Sequence, residues 1–283
     1  MSKRSKAKAV AAASAVVAPG KMELSKVLDG MSAPGLGFER VEHIPGSTYK
    51  DSSTVIVIPT RGKYKMLDPI SRKEVEVEGL IDKRVVSAWQ GLIPPMNQKR
   101  AMLFTSGHEV GQAYDALIAN ILAHPALKDW RYILTLEDDN LPPPDAHIRL
   151  LESINWGNYD AVSALYFTKG DVNMPMAYGD PGEYTRTGVA DFRPRDVRAA
   201  LAAGQIMPVN GIAMGCALWK MSLFREIAAP WYMTLNDFIP GQGTVGMTQD
   251  LSFCQKAVTS GKRFAVDLRV KVGHLDVASG NIY

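Results

Sequence analysis

The chain has 283 residues, of which 46% are hydrophobic and 22% are charged. These values are ordinary for a soluble globular protein, and the length accommodates one large domain with a sizeable core. No apolar run approaches the ~20 residues that span a bilayer, so no membrane helix is expected. Two cysteines far apart, Cys216 and Cys254, exclude a disulfide framework and a zinc pattern and favour a cytoplasmic location.

The positive charge is concentrated at the N-terminus. The formal net charge is +3, but residues 1–21 carry five basic side chains and no acid, so the remainder carries −2. The basic start and the following Ala/Val stretch loosely resemble a signal peptide, yet the stretch contains no leucine or phenylalanine. We therefore predict a basic low-complexity arm and irregular lead-in over 1–52, able to hold a polyanion weakly, and one domain over 53–283.

Strand and helix patterns alternate along the first half of the domain. The continuous apolar run Val55–Ile58 is typical of a strand buried on both faces, and a helical three- and four-residue repeat of apolar side chains covers 107–125. The predicted strands of this half are 73–79, exposed and in a hairpin, then 84–90, 101–107, 130–136 and 160–167, and a second helix covers 145–154.

The second half begins with a long Gly/Pro-rich excursion, 168–208, which contains a short helix within 193–204. Residues 208–227 return to the sheet and then to a helix, and Gly211 and Gly215 there permit close approach of backbone or ligand. A helix over 248–261, with Thr248 as its N-cap, and a terminal strand over 263–276 complete the domain.

This alternation predicts an α/β domain with a mainly parallel sheet. Ligands of such sheets bind at the carboxyl ends of the strands. Two polar clusters fall at predicted strand ends, namely the turn "PTRG" at 59–62 and the acidic run "EDDN" at 137–140. The two clusters are therefore expected to face one crevice.

Three consecutive acids end the strand "YILTL" and are followed by three prolines. Adjacent carboxylates repel one another unless a positive charge lies beside them. They hold a divalent cation, pair with Arg or Lys, or lie on a solvated loop. His274, just beyond the terminal strand, would add one nitrogen to these oxygens, a mixture that suits Mn²⁺ and tolerates Mg²⁺.

Asp250 lies in the first turn of the predicted helix 248–261. A carboxylate there stabilises the helix dipole, typically by 0.3–1 kcal/mol. Alternatively it points into the crevice as a general base, although the dipole that keeps it ionised also weakens it as a base. Lys99, Arg100 and Arg61 are candidate phosphate partners, against the simpler interpretation that they are solvated.

Three landmarks occur in order, "VIVIPTRG", "YILTLEDDN" and "TQDLSFCQKAVTSGKRFAVDLRVKVGH". In order and spacing the chain resembles the GT-A nucleotide-sugar glycosyltransferases of the family-2-like group, over about residues 53–276. The resemblance implies a Rossmann-like α/β fold with a mostly parallel central sheet flanked by helices. It also implies hexosyl or pentosyl transfer from a nucleoside-diphosphate sugar, most commonly a UDP sugar, with Mn²⁺ or Mg²⁺.

The resemblance assigns roles residue by residue. The acidic run matches the family's DxD motif, so Asp139 is the metal ligand, His274 completes the metal site, and Asp250 is the base of an inverting enzyme. Two departures are Glu137 where the motif begins with Asp, and Gln249 where the family has Glu before the base. Retaining enzymes of this fold need no such base. The nucleotide-side positions are Pro59, Thr60, Arg61, Gln112, Glu137 and Asp138.

Other functions remain open at this point. A sugar-nucleotide nucleotidyltransferase would also be α/β with acidic metal ligands, although the turn "PTRGKYK" has only one glycine. A non-catalytic carbohydrate- or nucleic-acid-binding protein on the same scaffold is the third interpretation. The acceptor is equally open among a glycan, a protein, a small molecule and a hydroxymethylated DNA base in a DNA-modification system. Such a base would have to be flipped out of the duplex to react.

Overall fold

The structure is a computed structural model that describes residues 51–60, 63–68, 70–78, 81–239 and 243–283. The predicted arm and nearly all of the lead-in, together with the nucleotide contact predicted at Arg61, lie outside the described residues. Residues 51–283 belong to one compact unit. None of the helices in the described ranges is long and apolar enough to cross a membrane.

Strands and helices alternate along the described chain. The elements of the first half are β1 (Thr54–Thr60), β2 (Lys63–Leu67), β3 (Glu74–Glu78), α1 (Lys83–Gln90), β4 (Arg100–Ser106), α2 (Val110–Ala123), β5 (Tyr132–Leu136), β6 (Asn140–Leu141), α3 (Ala146–Trp156) and β7 (Ala161–Leu165). Those of the second half are β8 (Ala177–Tyr178), α4 (Pro181–Thr187), α5 (Arg198–Ala202), β9 (Ile206–Val209), β10 (Gly211–Ile212), β11 (Cys216–Lys220), α6 (Leu223–Glu226), β12 (Leu235–Ile239), β13 (Gly243–Met247), α7 (Gln249–Thr259), β14 (Phe264–Lys271) and β15 (Gly273–His274).

The central sheet has seven strands in the order β4-β1-β5-β11-β7-β14-β9. Strands β4, β1, β5, β7 and β14 point in one direction, whereas β11 and β9 run antiparallel to their neighbours. The predicted fold class is confirmed, because this is a mostly parallel α/β sheet flanked by helices. The arrangement is consistent with a GT-A-like Rossmann fold.

Both faces of the sheet are covered, which explains the continuous apolar strands. Along β1, Val55 and Val57 belong to one core cluster and Ile56 and Ile58 to the other, because successive side chains of a strand point to opposite faces. Helices α2 and α7 pack in the first cluster, and α1 and α3 pack in the second. Every residue of β5 and β7 is buried between these layers.

The strand predicted at 84–90 is wrong, because these residues form helix α1. The Asp82 carboxylate caps the helix by accepting from the Arg84 backbone N–H at 2.8 Å. Val85 and Trp89, four residues apart, are the two buried side chains of α1, so the segment follows helical spacing. The adjacent valines favoured a strand, but the N-cap and the burial of one helical stripe outweigh that local preference.

The other predicted elements agree with the structure, including the short helix within 193–204 and the exposed hairpin strand, which is β3 paired with β2. The hairpin of β12 and β13 was not predicted. It carries no strong alternation of apolar and polar residues, and among the described strands β12 and β13 pair with each other alone. Both cysteines are buried free thiols.

Candidate active site

A cleft of about 240 Å³ opens at the carboxyl ends of β1 and β5. These strands are parallel neighbours in the sheet, so the residues that follow each strand come together at one edge. The cleft is lined by Pro59, Thr60, His108, Val110, Glu137, Asp138 and Asp139. Pro59 and Thr60 of the first polar cluster thus meet the three acids of the second in one crevice.

The acidic run forms a tight turn that is held from two sides. The backbone N–H of Asn140 donates to the Glu137 carbonyl at 3.1 Å, and the Glu137 N–H donates to the Gly215 carbonyl at 3.2 Å. After β14 the chain forms β15, which pairs with β6, so that His274 lies opposite Asn140. The Leu275 N–H also donates to the Asp139 carbonyl at 2.7 Å. This pairing brings His274 beside Asp139.

The His274 ring is oriented with one nitrogen toward Asp139. Its Nδ1 atom lies 2.7 Å from the Phe167 carbonyl oxygen, which only accepts, so Nδ1 carries the proton of the neutral ring. Its Nε2 atom lies 3.7 Å from Asp139 Oδ1, and both side chains are largely buried. The Tyr166 ring makes an edge contact with the imidazole. In the neutral ring a nitrogen lone pair therefore faces a carboxylate oxygen.

A lysine lies against the same carboxylate. The Lys169 Nζ atom is 2.5 Å from Asp139 Oδ2, and the Lys169 side chain is 27% exposed. Lys169 belongs to the long excursion after β7, and no role was predicted for this side chain. Of the three explanations for adjacent acids, the structure displays pairing with a lysine. No group of three or more His, Cys, Asp or Glu side chains within the described ranges is arranged to hold a metal ion.

The first acid of the cluster is weakened by its surroundings. Burial raises the pKa of Glu137 to about 8, and the negative charges of Asp139, Asp250 and Asp138 act in the same direction, whereas Lys169 opposes them. Glu137 is therefore a weaker acid than an ordinary glutamate.

Asp250 is the buried first-turn acid of α7. Thr248 is the N-cap, as predicted, but its hydroxyl donates to the Asp250 Oδ1 atom rather than to a backbone group. The Leu251 N–H donates to the same oxygen at 2.9 Å. Burial raises the pKa of Asp250 and outweighs these hydrogen bonds, which act to lower it. The negative charge of Asp250 also acts to raise the pKa values of Glu137 and Tyr166.

Asn140, which follows the acids, is a site residue that sequence reasoning missed. It is fully buried, and neither amide atom has a hydrogen-bond partner within the described part of the chain. Gly215 lies directly against it, and the Gly215 N–H donates to the Tyr166 hydroxyl at 2.8 Å. The close approach expected at Gly215 is thus an approach to these two side chains. In the sequence, Asn140 could have been recognised from the run "EDDN", in which a residue with an amide side chain directly follows the three acids.

Three other predicted contacts lie away from this constellation. Gln112 is exposed on α2 and does not line the cleft. At the start of α2, the residues that line the cleft are His108 and Val110. Arg100 begins β4, whereas Ser106 at its other end is the residue paired with Thr60 of the cleft. Arg100 and the preceding Lys99 therefore lie about 20 Å away at the amino end of the sheet, and their assignment as phosphate partners is wrong.

No protein-family model matches this chain, and no curated protein matches it. Among solved structures, the crystal structure of A197 from STIV is 15% identical with a TM-score of 0.48, and the match covers 81% of this chain and 92% of that chain. The crystal structure of GalNAc-T7 with UDP, GalNAc and Mn2+ is 11% identical with a TM-score of 0.49, and the match covers 79% of this chain. It covers 43% of the GalNAc-T7 chain, less than half its length. At these low TM-scores, neither match assigns a function to this chain.

Proposed function

We propose that this protein is a glycosyltransferase that moves a sugar from a nucleoside-diphosphate sugar to an acceptor hydroxyl. One observation carries the proposal. Asp139 Oδ1 and His274 Nε2, 135 residues apart in sequence, face each other at 3.7 Å beside a cleft at the carboxyl ends of the strands. This is where α/β folds bind nucleotides. The positions agree with those that the GT-A resemblance assigns to a metal site.

The residues present fit a divalent cation. An imidazole nitrogen and a carboxylate oxygen are donors that suit Mn²⁺, and the Nδ1 hydrogen bond to Phe167 fixes the ring as it does in metal-binding histidines. The buried Asn140 amide beside them has no hydrogen-bond partner among the described residues, as expected of a site completed by something outside the chain. Asp139 and His274 would hold the ion, and diphosphate oxygens would supply further ligands. When bound, such a cation stabilises the negative charge of a leaving diphosphate.

The remaining residues bind and orient the substrates. Pro59 and Thr60, which end β1, would contact the nucleotide on one wall of the cleft, and Glu137 and Asp138 would contact its ribose side on the other. Arg61, which lies outside the described residues, and Gln112, which is exposed on α2, are further proposed nucleotide contacts.

Asp250 would take the proton from the acceptor hydroxyl during attack on the anomeric carbon. Its burial and raised pKa place its proton affinity above that of an ordinary aspartate, which favours this role. The Thr248 hydroxyl and the Leu251 N–H hold one oxygen of the carboxylate, which orients the group. If the enzyme retains anomeric configuration, Asp250 has a binding role instead.

The donor is tested by a thermal-shift screen of nucleotide sugars, with UDP sugars first, in the presence and absence of Mn²⁺. A ligand that binds the folded protein raises its melting temperature by mass action. We expect a cation-dependent shift for one donor, and we expect Asp139→Asn and His274→Gln to abolish the cation dependence. The exposed residues Asp129 and His124 supply matched controls, Asp129→Asn and His124→Gln, which should behave as wild type.

The acceptor and the competing functions need a second assay. The donor identified above is incubated with hydroxymethylated DNA, with glycans and with small alcohols, and transfer of the sugar is measured by mass spectrometry. Pyrophosphate released from a sugar phosphate and a nucleoside triphosphate would instead indicate a nucleotidyltransferase. A donor that binds but is neither transferred nor hydrolysed would indicate a binding protein. Wild-type transfer by Asp139→Asn in the presence of Mn²⁺ would refute the proposed metal site.

A further inference from the structure

We propose that Lys169 and a divalent cation bind Asp139 alternately, so that Lys169 is a built-in competitor of the metal. The inference rests on the proposed function and adds a means of control to its site. In the structure the lysine ammonium lies 2.5 Å from Asp139 Oδ2, on the carboxylate whose other oxygen faces His274. The ammonium therefore satisfies the charge that a metal would neutralise.

The segment that carries Lys169 is built to hold this position. Phe167 and Pro175, at the two ends of this segment, form an isolated antiparallel β-bridge. Inside it, the Thr168 N–H donates to the Met174 carbonyl at 2.8 Å. Gly170 follows the lysine with a φ of 93°, a conformation that side-chain-bearing residues rarely adopt. The turn thus directs Lys169 back over the cluster.

The same segment also holds the other half of the metal site. The Phe167 carbonyl accepts from His274 Nδ1, and Lys169, two residues later, pairs with Asp139. The segment 167–175 therefore orients His274, the nitrogen ligand, and neutralises Asp139, the oxygen ligand. A shift of this segment would act on both groups together.

Lys169 and a doubly charged ion cannot share this carboxylate without strong repulsion, because Asp139 is largely buried and like charges there are poorly screened. The lysine side chain is 27% exposed, so it can leave toward solvent or toward a substrate phosphate. A bound diphosphate would offer the ammonium a new partner. Donor binding should therefore release Asp139 and raise the affinity for the cation, a coupling that works equally in both directions.

The experiment measures the Kd of Mn²⁺ by electron paramagnetic resonance of the free ion, with and without saturating UDP. The proteins are wild type, Lys169→Met, Lys169→Arg and Lys128→Met, and circular dichroism verifies that each is folded. Lys128 is exposed on the surface, so its replacement removes one positive charge without touching the cleft. Lys169→Arg keeps the charge and should retain weak Mn²⁺ binding.

We expect Lys169→Met to bind Mn²⁺ about tenfold more tightly than wild type in the absence of UDP. We also expect UDP to tighten Mn²⁺ binding several-fold in wild type and much less in Lys169→Met, in which no competitor remains to be removed. Lys128→Met should match wild type in both respects.

Equal Mn²⁺ affinities for wild type and Lys169→Met would overturn the competition while leaving the metal site intact. An equal gain in Lys128→Met would overturn it as well, because the effect would then be one of net charge. If neither wild type nor Lys169→Met binds Mn²⁺, the competition is refuted together with the metal site. UDP binding measured in the same samples by calorimetry then reports separately whether the cleft is a nucleotide site.

Discussion

Gly215 lies so close to Asn140 that a Cβ atom at position 215 would stand 2.4 Å from Asn140 Oδ1. The same Cβ would stand 2.7 Å from the Tyr166 hydroxyl oxygen. Both neighbours are buried and border the acidic turn, and the Gly215 carbonyl accepts from Glu137 N–H. The absence of a side chain at 215 is therefore what allows β11 to approach the turn.

Gly215→Ala should destabilise the fold by about 1–3 kcal/mol, because overpacking of a closed site forces its neighbours to move. Urea unfolding measures the loss. Gly182→Ala is the control, since a Cβ atom there would stand 3.1 Å from its nearest neighbour, the carboxylate of the partly exposed Asp180. If Gly215→Ala unfolds at the wild-type urea concentration, the close approach is not a packing constraint.

Asp250→Asn should reduce kcat by about 10²–10⁴-fold with little change in the KM of the donor, because the amide keeps the shape but accepts no proton. In wild type, activity should fall as the pH drops through the raised pKa of Asp250, that is, at a higher pH than an ordinary aspartate would give. Steady-state kinetics across pH checks both statements. Asp129→Asn is the matched control on the surface, and wild-type turnover by Asp250→Asn would remove this residue from catalysis.

His147 should make the fold sensitive to acid. Its Nε2–H donates to Thr54 Oγ1 at 3.0 Å, since that hydroxyl already donates to the Ser52 carbonyl. Burial, aided by the charge of Arg100, lowers the pKa of His147 from 6.5 to about 4. The unfolded chain therefore binds the proton first, so stability is complete above pH 6.5 and is lost as the pH falls toward 4.

The expected loss from His147 is about 2 kcal/mol between pH 7 and pH 5. Urea unfolding at several pH values measures it in wild type and in His147→Gln, whose stability should vary less over this range. His124→Gln, which replaces an exposed histidine, should follow wild type. Parallel pH curves for wild type and His147→Gln would contradict the assignment.

Arg269→Met should destabilise the fold by about 2–3 kcal/mol, because it leaves the fully buried Asp267 carboxylate without its charge partner. Burial raises the pKa of Asp267, but hydrogen bonds from Arg269 and Ser153 outweigh burial and lower it overall. That stabilisation is present at neutral pH and is lost as the pH falls through the lowered pKa.

Urea unfolding of Arg269→Met at pH 7 and below pH 3.8, the ordinary pKa of an aspartate, tests this ion pair, and the cost of the substitution should shrink in acid, where protonation removes the charge that Arg269 stabilises. Arg193→Met is the matched control, because the ion pair of Arg193 with Asp191 is exposed and is expected to contribute little. Equal effects of the two substitutions would show that burial does not strengthen the pair at Arg269.

The sequence by itself determined the layered architecture and the place of the cleft. Val55–Ile58 is apolar at every position and Tyr132–Leu136 at every position except Thr135, a pattern typical of strands covered on both faces, and polar residues follow each of them. Parallel neighbours then bring Thr60 and Asp139 together without further information. These inferences succeed because they depend on local patterns and on a general rule of sheet topology.

The tertiary structure alone decided the charge of the site. The raised pKa values of Glu137 and Asp250 and the pairing of Lys169 with Asp139 all depend on burial and on charges that are distant in sequence. Helix Lys83–Gln90 was mispredicted as a strand for a similar reason, because the sheet on which this helix packs determines which of its side chains are buried. Electrostatic energy depends on the distance between charges in three dimensions and on the exclusion of water. The order of residues along the chain does not specify either quantity directly.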